Sequence, residues 1–65
     1  HDAVIQNHCH ISTGSIINGA STIGEGTFIG SGTIVNNNIN IGKESLIGSS
    51  KNIYKDLEDF TKIIK

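Results

Sequence analysis

The sequence predicts an all-β fold in which very short strands stack into a polygonal coil. Three observations predict it. Every sixth residue from position 5 to position 53 is a β-branched aliphatic: Ile5, Ile11, Ile17, Ile23, Ile29, Val35, Ile41, Ile47 and Ile53, with no gap and no phase slip. Ile and Val are only 15 of the 65 residues, so the series is not a by-product of composition. A period of six fits neither a helix nor an alternating strand and is read as an internal repeat. The positions between the aliphatics also repeat. Gly follows the aliphatic at Gly24, Gly30, Gly42 and Gly48, and four residues after it stands a small side chain: Cys9, Ser15, Ser21, Thr27, Thr33 and Ser45.

Taken in order, each hexad reads as a short strand carrying one large inward Ile, then a bend, then one small inward residue. The remaining slots hold Gly, Asn, Glu, Lys and Ser, which are turn and surface residues. One hexad cannot bury its own Ile, so neighbours must stack. Gly and Asn are expected at corners that need a positive φ. Asn36-Asn37-Asn38-Ile39-Asn40 is the least regular stretch, with Ile39 in a normally small slot, and a bulge or mobile corner is expected there. After Ile53 the series stops, because Asp59 occupies the next core slot. Ile53, Leu57, Phe60 and Ile64 have helical spacing, so residues 54–65 are expected to form a short amphipathic helix or irregular cap. The coil itself is assigned to residues 1–53.

Composition excludes several function classes. The formal net charge is −1, which gives no electrostatic footprint for nucleic acid or an anionic membrane. The three aromatics, Phe28, Tyr54 and Phe60, are too few for a base-stacking platform. Apolar runs are two or three residues long, so nothing spans a bilayer. The lone Cys9 rules out an internal disulfide, and a reducing cytoplasm is the default location. A chain opening on His1 reads as the later part of a longer protein, with an N-terminal domain upstream.

The chemistry-bearing stretch is His1-Asp2-Ala3-Val4-Ile5-Gln6-Asn7-His8-Cys9-His10-Ile11-Ser12. Histidine titrates near neutral pH and suits a general base, and an adjacent carboxylate can hold the proton on one ring nitrogen and leave the other basic. Laid over hexads, the pattern resembles the hexapeptide-repeat acyltransferases. It is similar in particular to the sialic acid O-acetyltransferases and amino-sugar-nucleotide N-acetyltransferases. Their motif is a His followed by an acidic residue, with a second His nine residues on, and His1, Asp2 and His10 match it. The resemblance runs from His1 to about Leu57. The hexads are weakly specific and the His-Asp-plus-His spacing moderately so.

The resemblance implies a left-handed parallel β-helix, an exception to the usual right-handed crossover. Three hexads would make one triangular turn, so the chain holds just under three turns. Residues 18 apart would then stack as Ile5-Ile23-Ile41, Ile11-Ile29-Ile47 and Ile17-Val35-Ile53. It implies an acetyltransferase moving acetyl from acetyl-CoA to a hydroxyl or amine of a sugar or nucleotide sugar. His1 would be the general base, Asp2 would orient it, and His10 would lie near the acetyl thioester. Gly19 also matches, and its backbone N–H would lie beside the acyl group. His1, Gly19 and Asn37 fall in one column, and His10 falls half a turn away. A homotrimer with active sites between subunits is therefore implied. Lys55-Asp56 resembles the family's C-terminal Lys-Asp, and Lys51 and Lys55 could meet coenzyme A phosphates. The family's Gly-x-Pro-Ala-Lys tail is absent, and the chain has no proline.

Blander readings stand beside these. His1 and His10 could be solvated corner and strand residues, Asp2 and Gly19 turn residues, and Lys51 and Lys55 plain surface lysines. His8 has no counterpart in the motif and reads as surface, and Cys9 reads as packing. Gly24-Glu25-Gly26 and Gly30-Ser31-Gly32 are explained by the hexad rather than by a phosphate loop. A zinc enzyme like the carbonic anhydrases on this fold would use His1, His8 and His10, but no matching ligand set is seen and no metal site is expected. A coil that only trimerises is the structural alternative. An ice-binding surface is disfavoured because the outward positions lack a Thr ladder.

Overall fold

The computed structural model describes residues 2–64. They form ten strands of two residues each: β1 (Val4–Ile5), β2 (His10–Ile11), β3 (Ile16–Ile17), β4 (Thr22–Ile23), β5 (Phe28–Ile29), β6 (Ile34–Val35), β7 (Asn40–Ile41), β8 (Leu46–Ile47), β9 (Asn52–Ile53) and β10 (Lys62–Ile63). The strands pair in parallel into three sheets, β1-β4-β7, β2-β5-β8-β10 and β3-β6-β9. The molecule is thus a β-solenoid of three coils, each side of the coil contributing one rung. This is consistent with the left-handed β-helix that the repeat suggests.

The register follows from the period. Ile5 pairs with Ile23 and Ile23 with Ile41, so three hexads make one coil. Ile11 pairs with Ile29 and Ile29 with Ile47. Ile17 pairs with Val35 and Val35 with Ile53. The inward aliphatics stack as near-isosteric columns that close packing can fill. Ile23, Ile29, Val35 and Ile47 are fully buried, whereas Ile5, on the outermost coil, is 47% exposed.

The corners are built by one left-handed residue each, three positions after the aliphatic. Asp2, His8, Gly14, Ala20, Gly26, Gly32, Asn38, Glu44, Ser50 and Phe60 all have φ between 51° and 75°. Their N–H groups tie successive coils: Gly26 donates to the Asn7 carbonyl (3.0 Å), Asn38 to Gly19 (2.9 Å) and Glu44 to Glu25 (2.7 Å). Gly therefore serves two purposes, only one of which is conformational. Gly26 and Gly32 supply positive φ. Gly24 and Gly30 do not: a Cβ there would lie 2.5 Å from backbone atoms of the next coil. The glycine after the aliphatic is a matter of space, not of φ.

The small slot has a function the word "small" hides. Its hydroxyls bridge coils. Ser15 donates to the Gly30 carbonyl (2.8 Å), Ser21 to Asn36 (2.6 Å), Thr27 to Gly42 (2.9 Å) and Thr33 to Gly48 (2.6 Å). The same oxygens accept: Ser21 from the Ile39 N–H (3.0 Å), Thr27 from Ser45 (3.1 Å) and Thr33 from Lys51 (3.1 Å). Cys9 takes the equivalent place, its thiol 3.1 Å from the Gly24 carbonyl. Among the described residues no buried side-chain nitrogen or oxygen lacks a partner, as a buried polar group requires.

Two expectations need correction. No bulge disturbs residues 36–40: β7 pairs in register with β4, and Asn38 takes the same corner conformation as its counterparts. Ile39 is simply buried in the small slot. The helical cap is also absent, since the described part of residues 54–65 contains no helix. The coil continues instead. Leu57 bridges to Ile41, and β10 pairs with β8. One hexad is shortened by two residues, so Leu57 takes the position that a strict count gives to Asp59. The reason is physical: a carboxylate in the core would be costly, and Leu57 can fill the slot. The freed acids dock on the preceding coil. Asp56 accepts the Asn40 N–H (2.8 Å) and Asp59 accepts the Lys43 N–H (2.9 Å). No helix of the described residues is long and apolar enough to cross a membrane.

Candidate functional site

The three sides meet at three corners, and the corner between the β3-β6-β9 and β1-β4-β7 sheets carries the first group of expected residues. Asp2 sits there with φ 65°, exposed and engaged with its surroundings. One coil on, the chain places Asn18, Gly19 and Ala20, and a further coil on, Asn37 and Asn38. These six residues line a shallow groove of about 460 Å³. Asp2 and Gly19, seventeen positions apart in the chain, are thus brought into one concavity. Gly19 is fixed by its carbonyl, which accepts the Asn38 N–H at 2.9 Å. His1, the expected base, lies outside the described residues.

His10 is elsewhere. It is the outward residue of β2, on the third side of the coil, across the solid core of Ile23, Ile29 and Val35. Its ring stacks on that of Phe28, the residue paired with it on β5, with centroids 4.9 Å apart and planes 4° from parallel. Within one chain, His10 and the Asp2–Gly19 groove therefore do not share a site.

His8 occupies the corner between the β1 and β2 sides, exposed, with φ 62°. Among the described residues no group of three His, Cys, Asp or Glu side chains is placed to hold a metal ion. Cys9 is half-buried with its thiol turned to a backbone carbonyl, the posture of a packing residue. Lys51 and Lys55 flank a separate apolar cavity of about 190 Å³ at the far end of the coil, with Tyr54, Leu57 and Ile63 among its walls.

Sequence reasoning did not single out Asn18, Ala20, Asn38 or Phe28. The eighteen-residue register contains the signal for the last three. Adding 18 to Asp2 and Ala20 gives Ala20 and Asn38, and adding 18 to His10 gives Phe28. The groove is amide-rich and carries one carboxylate, so it offers both donors and acceptors to a hydroxylated or amide-containing ligand. Comparison with protein-family models, with curated proteins and with solved structures gives no match to this chain.

Proposed function

We propose that this chain is the coil of an acetyl-CoA-dependent sugar O- or N-acetyltransferase that works as a homotrimer in the cytoplasm. The observation that carries the reading is the His1-Asp2 pair with His10 nine residues on, laid over an unbroken hexad repeat. The groove that Asp2 shares with Gly19 supports it. In this reading His1 removes the proton of a sugar hydroxyl or amine, and Asp2 holds the imidazole in the tautomer that leaves the other nitrogen basic. The freed oxygen or nitrogen attacks the thioester carbonyl. The Gly19 N–H stabilises the oxyanion as it develops. Collapse breaks the C–S bond and releases coenzyme A, whose sulfur takes up the proton. Transfer is direct, with no acyl-enzyme. His10, on the opposite side of its own chain, is supplied to the acetyl group by a neighbouring copy.

Outward apolar residues support assembly in its own right. Ile16 is 50% exposed on β3, and Phe28 and Leu46 share the outer column of the β2-β5-β8-β10 sheet. A coil that only trimerises would use the same faces, and this is the second reading.

The two readings separate in one assay. The full chain is incubated with acetyl-CoA and either sialic acids or amino-sugar nucleotides, and thiol release is followed. His1→Ala is expected to lower kcat by a factor on the order of 10² to 10⁴ with the oligomer intact by sedimentation. Unchanged turnover in His1→Ala refutes the base assignment. A trimer with no thiol release from any acceptor leaves the structural reading.

A further inference from the structure

We infer that Phe28 is the positioning residue of His10, fixing the imidazole orientation in which it meets the acetyl thioester. The inference rests on the acetyltransferase reading and adds to it a residue that neither the hexad nor the His-Asp motif marks.

His10 and Phe28 are register partners on adjacent rungs, and both point away from the core. Strands in a sheet lie about 4.7–4.9 Å apart, and the two ring centroids are 4.9 Å apart with planes 4° from parallel. The rung spacing itself therefore brings the rings into a stack. A histidine used through a ring nitrogen is normally oriented by a hydrogen bond at its other nitrogen. Here no described residue hydrogen-bonds either ring nitrogen of His10, while the Cys9 thiol and the Ser15 and Thr27 hydroxyls are committed to backbone carbonyls. The terminal torsion of histidine is broad and roughly two-fold, so an unbonded ring on an exposed strand would turn freely. The face of Phe28 removes that freedom. His10 is exposed, so the edge of its ring is available to a group outside the chain. Phe28 is 38% exposed, and the next rung continues the column with Leu46 as its register partner.

The experiment uses the full chain and the variants Phe28→Leu, Phe28→Tyr and His10→Ala. Leucine already occupies this outer column at position 46, so Phe28→Leu suits the face. In the parent protein the ring protons of His10 are expected upfield of those of His8 in NMR spectra, because His10 lies over an aromatic face. Phe28→Leu should erase that offset and lower kcat by about 10-fold to 100-fold with little change in KM for acetyl-CoA, the size of effect expected of a misplaced group. Phe28→Tyr should keep both the offset and the turnover. Coincident His8 and His10 shifts in the parent protein overturn the stack. Full turnover in Phe28→Leu beside a crippled His10→Ala overturns the positioning role alone. No turnover in the parent chain overturns the acetyltransferase reading and this role with it.

Discussion

At the residue scale the decisive feature is the pair of bonds made by the Ser21, Thr27 and Thr33 hydroxyls. Thr33 is fully buried; it donates to the Gly48 carbonyl at 2.6 Å and accepts the Lys51 N–H at 3.1 Å. Valine has the same shape without the oxygen, so Thr33→Val strands a carbonyl and an amide at once. The expected cost is about 1–3 kcal/mol, read as a lower urea midpoint with unchanged slope, and Thr33→Ser should recover most of it. An unchanged midpoint for Thr33→Val would show that these bonds contribute nothing. The sequence displays Ser and Thr in this slot, but the carbonyl that Ser15, Ser21, Thr27 and Thr33 each serve is fifteen residues away and exists as a neighbour only once the coil has closed.

Elements of two residues cannot hold themselves, and their stability comes from the coil before and after. The shortened hexad makes this visible. Leu57, Asp56 and Asp59 divide the task of a normal side: Leu57 bridges to Ile41, and the two carboxylates take the N–H groups of Asn40 and Lys43. Asp59→Ala is expected to destabilise by about 1 kcal/mol, the size of a lost backbone cap. Leu57→Ala should cost about 2 kcal/mol, the low end for a core leucine because the site is only half-buried. Asp59→Leu should not stabilise. Chemical denaturation ranks the three, and a stabilised Asp59→Leu with a neutral Leu57→Ala would restore the strict count of six. The helical spacing of Ile53, Leu57, Phe60 and Ile64 was a competing pattern at this point. It lost because β10 and Leu57 can satisfy backbone groups of the preceding coil, which an end helix would leave open.

For the whole molecule, a stack of repeats has stability graded along its axis, because each coil contacts only its neighbours. Ile23, Ile29 and Val35 of the second coil are fully buried, while Ile5 of the first is 47% exposed. Amide hydrogen exchange should therefore be slowest at Phe28, Gly30 and Ile34, whose N–H groups bond to the coil that follows and whose side of the core is covered above and below. It should be fastest at Val4 and Gln6. Uniform protection from Val4 to Ile34 would mean that the coils open as a single unit. The same axial order decides which chemistry the chain can assemble alone. Residues eighteen apart share a corner or a face, and Asp2 with Ala20, beside Gly19, is such a neighbourhood. Residues nine apart are separated by the core, so His10 and that groove lie on different sides of one chain.

By itself the sequence determined the solenoid, its side length and the inward columns of Ile and Val. It could do so because one large aliphatic recurs at a constant interval, and only stacking can bury all of them. It also carried the His1, Asp2 and His10 signature on which the proposed activity rests. The tertiary structure alone decided the bonds of the hydroxyls, the two reasons for glycine, the place of Leu57 and the stack of Phe28 on His10. Each of these is a relation across coils, set by rung spacing and by the space between backbones. None has an expression in local propensity, so none exists until the chain has wound upon itself.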